Sequence, residues 1–125
     1  MKTKRIAFDL DGVIGTLVEG TTEPEARYAK SKPAVNMIKI VNELYDQGNY
    51  IIIYTARGMS TYRGDATLAY NSLFELTKNQ LQSWGVKHHQ LVMGKIHYDV
   101  LIDDKAINSL RVTEYKDIQK FVNIK

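Results

Sequence analysis

Tyr50-Ile51-Ile52-Ile53-Tyr54 is an unbroken apolar run rich in β-branched residues, the pattern of a strand covered on both faces. Before it, Ala34, Met37, Ile38, Val41, Leu44 and Tyr45 recur at helical spacing behind Pro33 and stop at Gly48. After it, Leu73, Leu76, Leu81 and Trp84 do the same and stop at Gly85, with Thr77 and Gln80 spaced for a capping box among them. A strand between two such helices belongs to a parallel sheet with helices on both faces. Further strands are expected before Asp9, at Leu91-Val92-Met93, at Val100-Leu101-Ile102 and at Leu110-Arg111-Val112, and a terminal helix through Ile118, Phe121 and Val122. The 125 residues fit one domain, 1–125, large enough to bury a core without staples.

The stretch Arg5-Ile6-Ala7-Phe8-Asp9-Leu10-Asp11-Gly12-Val13 is where chemistry is expected. An apolar run ends in an acid, and a second acid and a glycine follow, as in a buried strand spilling into a tight turn. Both carboxylates would then stand at the carboxyl end of a strand, where open α/β sheets bind ligands. Two acids facing one point repel unless a cation lies between them or one keeps its proton. Acids at strand ends also start ordinary turns, so Asp9 and Asp11 gain meaning only in company. Thr55 closes the second strand, Lys95 follows the third, and Asp103-Asp104 follows the fourth. Asp9 with Asp103 or Asp104 offers hard oxygen ligands suited to Mg²⁺, which favours few carboxylates plus water and phosphate. Lys95 would neutralise phosphate oxygens and Thr55 would donate to them. One carboxylate can attack phosphorus while the other, protonated, serves the leaving oxygen.

The segments FDLDGV, IIYTARG, GK before a strand and LIDDKA, in that order, resemble the haloacid dehalogenase superfamily of aspartate-nucleophile phosphatases from end to end of the chain. The resemblance implies a three-layer α/β/α Rossmann-like domain whose central parallel sheet has strand order 3-2-1-4-5. It implies Asp9 as the nucleophile that forms an aspartyl-phosphate and Asp11 as acid, then base. Thr55, Ala56, Arg57 and Lys95 would contact the substrate, and Asp9, Asp11 through its main-chain carbonyl, and Asp103 or Asp104 would hold Mg²⁺. Val13 stands where family members often have threonine. Neither the segment after Asp11 nor that after Thr55 is long enough for a full cap domain, which resembles the capless members. The runs YTARGM, WGVKHHQLVMGK and IDDKAIN are similar to small phosphatases of capsule and surface-polysaccharide biosynthesis, implying a sugar or polyol phosphate as substrate.

Cover for a capless site is expected from Gly12 to Lys32, from Gly58 to Asn71, or from a second copy of the chain. Arg57 and Arg63 are candidates for a second anionic group of the substrate, such as a carboxylate; for Arg63 a plain solvent-facing role is equally in keeping. His88 and His89 are expected at the surface or in packing, because neighbouring side chains on a strand point to opposite sides. His97, two residues after Lys95, could approach the site, and Tyr62 and Tyr70 suit packing or a substrate platform.

Composition narrows the classes. With no cysteine there is neither a disulfide framework nor a thiolate metal site. No apolar run approaches the length of a membrane span, and the first residues lead straight into a strand, so a soluble, cytoplasmic protein is expected. The net charge of +3 with scattered lysines suits a small anionic substrate better than a nucleic acid. Receiver domains need an acceptor aspartate where Tyr54 stands, and Gly12, Gly15 and Gly20 do not match G-x-G-x-x-G. Two rivals remain: a sugar-phosphate or partner-binding module without turnover, and a phosphatase of nucleic-acid ends.

Overall fold

A computed structural model describes residues 3–20 and 23–124. Its strands are β1 (Arg5–Phe8), β2 (Tyr50–Thr55) and β3 (Gln90–Met93), and its helices are α1 (Pro24–Ala29), α2 (Val35–Asp46), α3 (Ala66–Ser83) and α4 (Tyr115–Ile124). The strands form one parallel sheet in the order β1-β2-β3, with Phe8 opposite Ile53 and Thr55 opposite Met93. Both crossovers step across the sheet in the same direction, and right-handed crossovers of that kind place α2 and α3 on the same face. Ile6, Phe8, Ile51 and Ile53 point into that face and meet Met37, Ile38, Ile40, Val41 and Leu44 of α2 and Leu81 of α3. Val112 and Ile118 close the core from the carboxyl-terminal side. Each such aliphatic side chain contributes about 1.5–3 kcal/mol by leaving water.

The sheet departs from the expected one. The expected strand order 3-2-1-4-5 requires five strands and a three-layer sandwich; the described residues form three strands in the order β1-β2-β3. Val100, Leu101 and Ile102 are 76%, 53% and 94% exposed and pair with no strand. A strand is held by its ladder and by packing, and three apolar residues between Asp99 and Asp103 supply neither alone. Leu110-Arg111-Val112 is not a strand either, because the Asn108 side chain accepts the Leu110 amide at 2.9 Å and starts a 3₁₀ turn over Ser109–Arg111. The apolar run of β2 is not covered on both faces: Ile51, Ile53 and Thr55 are buried, whereas Tyr54, like Ala7 in β1, is exposed. An apolar run reports β propensity, while burial follows the pleat.

Two further boundaries differ. α3 already starts at Ala66, where the Asp65 carboxylate accepts the Leu68 amide at 3.0 Å, so the irregular segment after Gly58 is shorter than expected. Thr77 caps nothing; it lies buried in the middle of α3. The long connection after β1 contains α1, and its neck is closed where the Thr16 amide donates to the Lys32 carbonyl at 2.9 Å and the Ser31 hydroxyl to the Thr16 carbonyl at 2.8 Å. No helix among the described residues is long and apolar enough to cross a membrane.

Asp117, in the first turn of α4, reaches back to accept the Thr113 amide at 2.9 Å and the Glu114 amide at 3.2 Å. These amides, Thr113 first, hold its carboxyl below the ordinary 3.8. A carboxyl depressed in the folded state stabilises above its unfolded value, and the contribution is lost as pH falls through the depressed one. Melting Asp117→Ala beside the wild type should therefore show a deficit at neutral pH that closes as pH is lowered below the aspartate range. A deficit unchanged down to the most acidic condition would show that this carboxylate does not anchor α4.

Candidate active site

The sheet carries the carboxyl ends of its strands to one edge, where Asp9 follows β1, Thr55 closes β2 and Lys95 follows β3. Asp9 comes directly after Phe8, Thr55 ends β2, and Lys95 stands two residues beyond Met93. Gly94, at φ +92°, takes a turn that other residues resist, and the Lys95 amide then donates to the Thr55 carbonyl at 3.1 Å. Lys95 Nζ lies 3.6 Å from Asp9 Oδ2, with 14% of the lysine and 40% of the aspartate side chain exposed. The Tyr54 and Tyr98 rings flank the ammonium at 5.7 and 5.3 Å from their centroids. Asp9 Oδ1 accepts the Leu10 amide at 2.9 Å, which sets the carboxylate against the start of the turn.

That turn is a tight one. The amides of Val13, Ile14 and Gly15 all donate to the Leu10 carbonyl at 2.8–3.0 Å, and Gly12 has φ +88°. It directs Asp11 towards β2, where Arg57 receives it. Arg57 Nε lies 3.0 and 3.2 Å from the two Asp11 oxygens and Nη2 lies 2.9 Å from Oδ1. Nη1 donates to the Thr77 hydroxyl at 3.2 Å, and the Arg57 amide donates to Thr55 Oγ1 at 3.1 Å. The Tyr28 ring, from α1, lies under the guanidinium at 4.7 Å. The Arg57 side chain is fully buried, while Asp11 keeps 18% exposure. Arg57 is thus spent on Asp11 and Thr77, and the expected contact of Arg57 with a second substrate anion is not available to it. The sequence held a signal of this: Thr77 interrupts the apolar face of α3, and a buried hydroxyl needs a partner.

Ala56, between Thr55 and Arg57, is half-buried, and Thr55 is 1% exposed with its oxygen accepting and its hydroxyl hydrogen left to donate. Asp103 and Asp104 are exposed. Asp103 Oδ1 accepts the amides of Asp104 at 2.6 Å and Lys105 at 3.3 Å. A hydrogen bond with the Asp104 side chain, followed by these amides, holds the Asp103 carboxyl below its ordinary value. Among the described residues no three His, Cys, Asp or Glu side chains gather to hold a metal ion. The expected set, the Asp9 carboxylate, the Asp11 main-chain carbonyl and Asp103 or Asp104, needs only two side chains and is of a different kind. The segment Val100-Leu101-Ile102 does not pair beside β1, so Asp103 and Asp104 do not follow a strand of the sheet as Asp9 does. Asp9 and the Asp11 main-chain carbonyl, two residues apart at the strand end, offer hard oxygens of the kind Mg²⁺ takes.

The histidines sort differently. His89 lies between the Tyr45 and Tyr50 rings, each 4.6 Å away, and its Nδ1 accepts the Ile51 amide at 3.0 Å. His88 Nδ1 is 3.1 Å from the Val86 carbonyl oxygen. His97 lines the hollow beside Met59 and Arg63. Tyr62 is half-buried and Tyr70 stacks on Phe74 at 4.5 Å.

No family model matches the chain, and no curated protein matches it. Among solved structures, the chain is similar to the crystal structure of an MCSG target from Vibrio cholerae, at 25% identity and a TM-score of 0.75. The likeness covers 99% of this chain and 100% of that one, so it extends over the whole α/β domain.

Proposed function

We propose that the chain is a phosphomonoesterase in which Asp9 attacks phosphorus, the activity of the phosphatases that its motifs resemble. The observation that carries this is the half-exposed Asp9 carboxylate 3.6 Å from the Lys95 ammonium at the carboxyl edge of a parallel sheet. A nucleophile and a cation so placed can address one phosphoryl group, the lysine offsetting the oxygen charge that would repel the attacking carboxylate. The Asp9 oxygen bonds to phosphorus as the ester oxygen leaves with a proton that Asp11, a carboxylate paired with Arg57 at rest, relays from the phosphate monoanion. Water then attacks the aspartyl-phosphate, and its proton passes through Asp11 to the departing phosphate, which restores Asp9 and the Asp11 carboxylate. Arg57 holds both Asp11 oxygens on one side, which presents the carboxylate in one orientation throughout. The Thr55 hydroxyl donates to a phosphoryl oxygen.

The proposed substrate is a small sugar or polyol phosphate, by resemblance one of surface-polysaccharide synthesis, with cover from a second copy of the chain as part of the same proposal. A requirement for Mg²⁺ also comes from the resemblance and not from the arrangement of the acids. Phosphate release from sugar phosphates, polyol phosphates and nucleotides, measured with Mg²⁺ and with a chelator, tests the whole. The expected result is metal-dependent release that favours sugar or polyol phosphates. Silence across the panel from the folded protein would overturn the activity, and full release in chelator would remove the metal.

A further inference from the structure

The turn after β2 holds an arginine that the proposed chemistry does not use. Arg63 has φ +53°, the one positive φ among the described non-glycine residues. A bulky residue held there is strained, and such strain persists where the surrounding structure imposes it. The turn does impose it: the Gly64 amide donates to the Met59 carbonyl at 2.8 Å and the Asp65 amide to the Tyr62 carbonyl at 3.0 Å. Unlike Arg57, Arg63 has no ion-pair partner among the described residues. It lines an open cavity of about 390 Å³ together with Met59, Ser60, Gly64, Ile96 and His97.

Position gives the cavity its meaning. One wall follows Thr55, Ala56 and Arg57 beyond the end of β2, and the other begins at the residue after Lys95, so it adjoins the phosphoryl-binding edge. Its lining joins an unpaired guanidinium, a hydroxyl and an imidazole to the apolar flanks of Met59 and Ile96, a set suited to a short carbon chain ending in an anion. We infer that this cavity is a leaving-group subsite in which Arg63 binds a carboxylate of the substrate, which narrows the substrate class to small phosphomonoesters that also carry a carboxylate. The inference rests on the phosphatase reading for the phosphoryl end alone. A guanidinium fork matches a carboxylate with two parallel hydrogen bonds, which lysine cannot do.

Calorimetric titration of the Asp9→Asn protein with 3-phosphoglycerate and with glycerol 3-phosphate compares ligands that differ in a carboxylate. The expected result is at least about tenfold tighter binding of 3-phosphoglycerate, as charged hydrogen bonds give. Adding Arg63→Met should remove that advantage and leave glycerol 3-phosphate unchanged, and adding Arg63→Lys should restore only part of it. No preference between the ligands, no binding of 3-phosphoglycerate, or equal weakening of both by Arg63→Met would overturn the subsite. These titrations need no turnover, so their failure is distinct from failure of the phosphatase reading, which shows as absent phosphate release from the wild type.

Discussion

Asp9→Asn should abolish phosphate release, by at least about a thousandfold in kcat, as loss of a nucleophile does in other covalent enzymes. The amide oxygen is a poor nucleophile, and no other described carboxylate stands beside Lys95 at this edge in its place. The fold should survive the change. Asp9 is half-exposed, Asn keeps an oxygen to accept the Leu10 amide, and the lost pair with Lys95 is a partly solvated one worth about 0–1 kcal/mol. Turnover kinetics paired with a melting curve separates the two effects. A melt within a few degrees of the wild type and no detectable turnover is the expected outcome. Turnover within tenfold of the wild type would remove Asp9 as the nucleophile, and rapid chemical quench of the wild type should meanwhile trap phosphate on the protein. Lys95→Met makes a useful companion, because a lysine that only decorates the surface would leave the rate alone.

How much of this was legible in the sequence differs between the strand ends and the sheet as a whole. The positions of Asp9, Thr55 and Lys95 along one edge follow from runs that end abruptly in polar residues, since each run had helices to bury one face and neighbours to complete its ladder. Val100-Leu101-Ile102 has the same residue types but neither support, and composition does not distinguish a paired strand from an exposed apolar run. The one-sided burial of β2 was hidden for a related reason: Ile52 and Tyr54 are apolar whether or not a layer covers them. Arg57 was the more instructive miss. Beside a threonine at a strand end it suggests a ligand contact, yet its fate was set by Thr77, twenty residues away on α3, and by Tyr28 on α1. Such a pairing is non-local, and no local spacing announces it.

Arg57→Met should therefore cost both stability and rate, and the two losses have different origins. Removing the guanidinium leaves the Asp11 carboxylate without its partner, the Thr77 hydroxyl without a donor and the Tyr28 ring without the cation above it. Breaking a buried pair from one side costs about 3–5 kcal/mol, and the 18% exposure of Asp11 puts this site towards the lower figure. Pairing the change with Asp11→Leu should recover part of the stability and none of the activity, because the orphaned charge is gone while the acid is missing. Where Arg57→Met folds poorly, Arg57→Lys keeps the charge but offers a point where a fork is needed, so it should fold and still lose rate. The kinetic signature separates positioning from general loosening. If Arg57 acts by aiming Asp11, kcat falls with KM little changed, and Arg57→Lys adds almost nothing to the defect of Asp11→Asn, since the group it aims is already disabled. Independent multiplication of the two defects would place Arg57 in the framework alone, and a rise in KM with kcat intact would return it to the substrate contact first expected of it.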